Sequence, residues 1–152
     1  MTNQEVATAF SIGFTEKSAE RFFTLLRGAG VTRLIDVRLN NTSQLAGFAK
    51  KEDLRFFVKE ICSIDYVEVG DLAPEPGPLK EYKNKLMDWQ RYEDLYLNLL
   101  ARRAVEKKLD RSLLNGGCLL CSEHKPHQCH RRLALEYLKQ QWDGGLNIKH
   151  LY

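Results

Sequence analysis

GGCLLCSEHKPHQCHRRLALEYLKQQW, from Gly116 to Trp142, reads as a strand, a polar loop and a helix. The apolar run Gly117–Cys121 has strand length, and the stretch from about Gln128 to Gln141 has helical spacing. A strand that feeds a helix through a short loop is half of a parallel βαβ unit. The rest of the chain repeats that alternation.

Upstream, FSIG (Phe10–Gly13) is a first strand. Thr15 or Ser18 caps a helix to about Arg27, and Gly28 or Gly30 ends it. VTRLIDV (Val31–Val37) is a second strand. A polar loop, RLNNTSQLAGF, leads to a helix over about 52–62, and Asp65–Val69 is a third strand. DLAPEPGPL has three prolines and reads as a rigid extended loop. Helices follow over about 79–87 and from about Tyr92 to Lys108. After the Gly144-Gly145 break, LNIKHLY supplies a last strand. The expectation is one α/β domain over residues 1–152: a mostly parallel sheet of about five short strands, flanked by helices.

The chain has 152 residues, 43% apolar and 28% charged, with a net charge of +3. That suits a soluble globular protein. The slight basic bias allows an anionic partner without requiring one. No apolar run approaches the roughly 18 residues of a membrane span. MTNQEVATAF lacks a basic segment followed by an apolar one, so no secretory leader is expected. The expected location is the cytoplasm, with its four cysteines as free thiols rather than a disulfide framework. Oligomeric state is not legible.

Ligands of open α/β sheets bind beyond the carboxyl ends of the strands. Two strand ends carry polar groups: Asp36-Val37-Arg38, and Cys121-Ser122-Glu123. Asp36 and Arg38 are two apart and share a side. If the two strands are neighbours, an acid, a guanidinium, a thiol and a second acid converge.

Cys118 and Cys121 look like a metal hook, but residues three apart on a strand face opposite ways. Cys118 is therefore core, and so is Cys62. Cys121, His124, His127, Cys129 and His130 match no common zinc spacing. No metal and no cofactor are expected.

On the last helix, His130 and Arg131 fall on the apolar face. Arg132 and Glu136 fall opposite, where they can pair. A cation facing inward on a helix's first turn meets both the dipole and a desolvation cost. Either Glu123 or Asp36 opposes it, or a bound anion does. Cys129, at the helix start beside His130 and Arg131, is a candidate reactive thiol, and Cys121 is another. A C-x5-R phosphate loop is disfavoured, because His127 and Leu135 occupy the arginine positions.

The motifs SIGFTEKS (Ser11–Ser18), LIDVR (Leu34–Arg38), LLCSE (Leu119–Glu123), CHRR (Cys129–Arg132) and NIKHL (Asn147–Leu151) run through nearly the whole chain. Together they resemble the family called domain of unknown function 488. Two departures stand out: Phe14 replaces a polar ring such as His, and NNTSQLAGF replaces an Arg- and Pro-rich segment. The resemblance implies an α/β fold. It also implies a cleft built from Asp36, Arg38, Cys121, Glu123, Cys129, His130 and Arg131. It names no reaction.

Three functions fit these residues. In the first, an enzyme acts on an anionic, phosphate- or nucleotide-like small molecule. Asp36, Arg38 and Arg131 bind it, Cys121 or Cys129 reacts, and His130 or Glu123 carries the proton. In the second, the domain binds nucleic acid through Lys50-Lys51, Arg102-Arg103, Lys107-Lys108 and Arg131-Arg132. In the third, the polar cluster is a closed salt-bridge network that pins the last helix.

Overall fold

Five parallel strands form the centre of the molecule. The structure is a computed structural model and describes residues 6–42, 47–123 and 126–152. The strands are β1 (Ala7–Gly13), β2 (Arg33–Asp36), β3 (Asp65–Glu68), β4 (Gly117–Cys121) and β5 (Leu146–Leu151). Their order is β3-β2-β4-β1-β5. The helices are α1 (Ala19–Ala29), α2 (Lys51–Phe57), α3 (Pro76–Lys83), α4 (Trp89–Arg103), α5 (Val105–Lys108), α6 (Arg111–Leu114) and α7 (His130–Gln141).

Burial follows from strand alternation. On β4, Cys118 and Leu120 pack with Phe22, Leu26 and Leu54 of α1 and α2 on one face. Leu119 and Cys121 pack with Leu99, Leu100, Leu135 and Leu138 of α4 and α7 on the other. Cys118 is fully buried, as the strand reading requires. Cys62 is partly buried, its sulfur against the Phe23 carbonyl.

Helix ends obey local chemistry. Ser18 Oγ accepts from Arg21 N–H at 3.1 Å and starts α1, and Gly30 at φ 75° ends it. Asp88 caps α4 by accepting from Arg91 N–H at 2.8 Å.

Three sequence expectations change. The proline run is not an extended loop. A short 3-10 turn covers Gly70–Leu72, and α3 then begins at Pro76. Pro76 and Pro78 both fall in the first turn, where no N–H has an intrahelical acceptor. The helix beyond α2 continues as a π turn over Val58–Cys62, and Ile61 points outward. The single helix expected to reach Lys108 breaks at Ala104, which adopts the left-handed conformation at φ 51°.

A side chain there costs about 1–2 kcal/mol. Ala104→Gly is therefore expected to raise stability by about 1 kcal/mol, read from the denaturant midpoint. An unchanged or lower midpoint would mean that the strain is absent.

β2 and β4 are neighbours, with Asp36 level with Leu120. From β2 the chain runs outward through α2 to β3, on one face. From β4 it runs back through α7 to β5, on the other. The two connections diverge between these strands, and a crevice opens at their carboxyl ends. Among the described residues, no helix is long and apolar enough to cross a membrane.

Candidate functional site

A cavity of about 390 Å³ occupies that crevice. Arg38 and Phe14 line one side, and Cys121, Glu123, Cys129 and His130 another. Tyr82, Lys83, Trp89 and Tyr92 from α3 and α4 form the outer wall.

The seven residues expected to share one cleft divide into two clusters on opposite faces of the sheet. The first surrounds Asp36, which is 2% exposed. Arg38 donates to Asp36 Oδ1 through Nε at 2.9 Å and to Oδ2 through Nη2 at 2.9 Å. Tyr66 Oη and Asn41 Nδ2 also donate to Oδ2. Burial and then the bond to Asp36 push the Tyr66 phenol far up, so it remains a donor. Arg38 also gives Nη1 to the Ala49 carbonyl at 2.7 Å and lies over the Phe14 ring, 5.5 Å from its centroid. Phe14, the departure from the family pattern, thus gives Arg38 an aromatic face. Asp36 is the counter-ion of Arg38 and does not line the cavity.

The second cluster surrounds Arg131, which is fully buried. Its Nε donates to Ser11 Oγ at 3.0 Å. Its Nη1 donates to Cys121 Sγ at 3.3 Å, to Cys129 Sγ at 3.7 Å and to the Glu123 carbonyl. The inward-facing cation was legible from helical phase. Its partners were not: it meets the backbone of Glu123 rather than the carboxylate, and Asp36 serves Arg38. Burial lowers Arg131 to about 10, still cationic at neutral pH. Since Ser11 Oγ accepts from Arg131, its hydroxyl donates to Nδ1 of His150 on β5. Burial, and then Arg131, lower the His150 pKa.

The Sγ atoms of Cys121 and Cys129 meet as a disulfide pair, whereas free thiols were expected. β4 and the start of α7 are held side by side here, an approach hidden by the eight-residue separation in sequence. Their Cα atoms are 7.8 Å apart. His130 gives Nε2–H to the Val37 carbonyl at 3.0 Å, because a carbonyl can only accept. Its Nδ1 keeps a lone pair. Burial lowers His130 to about 4, more than its bond to Val37 raises it. Cys129 is the N-cap of α7 but makes no side-chain cap bond.

His127 is exposed, and His124 lies outside the described residues. Arg132 pairs with Glu136 at 3.1 Å, as helical phase requires.

Sequence reasoning missed the aromatic wall. Tyr82 and Tyr92 stack with ring centroids 5.0 Å apart, and Trp89 lies 5.6 Å from Tyr92. Tyr92 and Tyr96 read as core from their spacing, and both are buried. Tyr96 gives its hydroxyl to the Leu72 carbonyl. The Tyr92 hydroxyl is buried with no hydrogen-bond partner among the described residues.

Gly13 permits the closest approach in the site. A Cβ there would lie 1.5 Å from the Glu123 carbonyl oxygen and 3.0 Å from Arg131 Nη1.

No curated protein and no solved structure matched this chain. The sequence model of one family, described as "Domain of unknown function DUF488", matches residues 18–138. That span carries D-V-R at the end of β2, C-x-E at the end of β4 and C-H-R at the start of α7, the three motifs that build the two clusters. The chain belongs to the DUF488 family.

Proposed function

We propose that the cavity binds a small anionic ligand with a planar ring, nucleotide-like in its chemistry, and holds it over Cys121 and Cys129. The observation that carries this reading is the Tyr92 hydroxyl. Tyr92 lines the cavity, and its hydroxyl is buried with no partner among the described residues. A buried hydroxyl left unsatisfied costs about 1–3 kcal/mol, and a ligand atom would remove that cost. The stacked rings offer a flat surface to a ring, and Lys83 and Arg38 offer positive charge to an anion. The reacting group belongs on the cavity floor. There Arg131 donates to both sulfurs and, once the pair is reduced, favours the thiolate form. His130 or Glu123 would carry the proton.

The closed-network reading accounts for Arg38 and Arg131, whose donors meet protein groups. It does not account for the cavity beside them. The nucleic-acid reading is weaker, because much of the paired positive charge meets acids. Lys51 faces Glu68, Arg102 faces Glu75, Lys108 faces Asp71, and Arg132 faces Glu93 and Glu136.

Calorimetry with a mononucleotide, its nucleoside and inorganic phosphate tests the proposal. The mononucleotide is expected to bind most tightly. Lys83→Ala should weaken it by about 1.5–3 kcal/mol, the scale of a charged hydrogen bond. Tyr92→Phe should leave stability equal or higher while weakening the nucleotide by about 0.5–1.5 kcal/mol. Equal affinity for nucleoside and nucleotide, or no binding of either, would sink the reading.

A further inference from the structure

The sulfurs of Cys121 and Cys129 and a ring nitrogen of His130 all lie within 4.8 Å of one another. We propose that, with both thiols reduced, Cys121, Cys129 and His130 bind a zinc-class divalent cation whose fourth coordination position opens into the cavity. This departs from the expectation of no metal. It concerns the cavity floor and stands whether or not the cavity takes an anion.

Four independent features of the chain support it. The first is ligand chemistry: two thiolates and an imidazole suit Zn²⁺, and three protein ligands are what an open zinc site uses. The second is reach. Cα atoms 7.8 Å apart are wider than the roughly 4.4–6.8 Å spanned by most disulfides. Two thiolates on a tetrahedral ion have sulfurs about 3.8 Å apart, given bonds of about 2.3 Å. The backbone separation therefore suits two sulfurs sharing an ion. The third is orientation. Nε2–H of His130 is fixed on the Val37 carbonyl, which leaves Nδ1 as the ligand atom. A metal-binding histidine usually has its other nitrogen held in this way.

The fourth feature is the way α7 begins. Its N-cap is a cysteine without a cap bond, followed by His130, Arg131 and Arg132. The uncapped cysteine and the cations Arg131 and Arg132 oppose helix formation at that end, the first as a poor cap and the others as charge against the dipole. Such a start conflicts with the fold's own preferences, as functional positions do. Here the cap sulfur turns to Cys121, and Arg131 donates to both sulfurs from behind. Two thiolates neutralise a divalent ion, and Arg131 leaves the assembly with one net positive charge. The open position therefore favours an anion.

Motif reading misses this site because Cys121 and Cys129 are separated by seven residues, and the third ligand is the next residue along. Strand end, loop and helix start must all be placed before the three atoms can be seen to meet.

The test is a Co²⁺ titration of the reduced full chain, without nucleotide or phosphate. One Co²⁺ per chain is expected, with sulfur-to-cobalt charge-transfer absorption in the near ultraviolet and tetrahedral d–d bands in the visible. Zn²⁺ should displace it. Cys121→Ser, Cys129→Ser and His130→Ala should each weaken binding more than about tenfold, while His127→Ala should not. Absence of these bands from reduced, folded wild-type chain at saturating Co²⁺ overturns the proposal, and this arm depends on no variant folding. Bands that persist unchanged in Cys129→Ser overturn it too. Failure of the nucleotide to bind in calorimetry leaves this titration untouched, so the two readings fall separately.

Discussion

Asp36→Ala is expected to cost about 3–5 kcal/mol of folding stability, the usual result of stripping one partner from a buried ion pair. The total stability of a domain is only about 5–15 kcal/mol. The Asp36 carboxylate accepts from Arg38 Nε, Arg38 Nη2, Arg38 backbone N–H, Asn41 Nδ2 and Tyr66 Oη. Without it, a buried guanidinium keeps only the Ala49 carbonyl and the Phe14 ring among these contacts. Tyr66 loses its acceptor as well. The urea midpoint reads the effect, and a loss under about 1 kcal/mol would mean that the pair is solvated. Replacing both partners by apolar residues, Asp36→Leu with Arg38→Met, is expected to recover most of the loss, because neither charge is then stranded. A double variant as unstable as Asp36→Ala would show that the carboxylate's other donors, Tyr66 and Asn41, carry the effect.

Gly13→Ala is the second large effect. The new methyl would fall inside the Glu123 carbonyl oxygen, so the Ser122-Glu123 backbone must move. That segment is tied twice to the turn after β1, since Thr15 N–H and Thr15 Oγ1 both donate to the Ser122 carbonyl, at 3.1 Å and 2.7 Å. Its Glu123 carbonyl also accepts from Arg131. The expected cost is about 3 kcal/mol, the upper range for overpacking. That corresponds to a melting point lowered by about 6–12 °C for a chain of this size. Displacing Arg131 should also weaken Co²⁺ binding. A melting point within about 2 °C of wild type would show that the loop yields freely.

The parts of the fold legible in sequence are those where one period dominates. Gly117–Cys121 opens on a glycine pair and is uniformly apolar, and it is β4 without a change of boundary. Ser18 and Gly30 bracket α1 by their own chemistry. Helical phase placed Arg131 inside and Arg132 outside, and strand phase separated Cys118 from Cys121. What was illegible depends on tertiary placement. α3 starts inside a proline run because a helix's first turn tolerates proline, which composition alone reads as a breaker. Ala104 breaks a helix without glycine or proline, so no local signal marks it. The partition of the site is the largest difference. Asp36 and Arg38 were grouped with Cys121 because their strands were expected side by side. They are side by side, but the charged pair and the sulfurs leave the sheet on opposite faces. Arg38, but not Asp36, reaches the cavity that Cys121 and Cys129 line.

The sheet order has a consequence for how this molecule is made. β2 can pair with β3 as soon as both are synthesised, but β1 lies between β4 and β5. As the chain leaves the ribosome, Ala7–Gly13 therefore has no strand beside it until roughly a hundred further residues have emerged. Ser11 and Gly13, on which the Arg131 cluster closes, belong to that waiting segment. The first strand of the sheet to be made is thus among the last to be locked, and the site is completed only with β5, whose His150 receives the Ser11 hydroxyl.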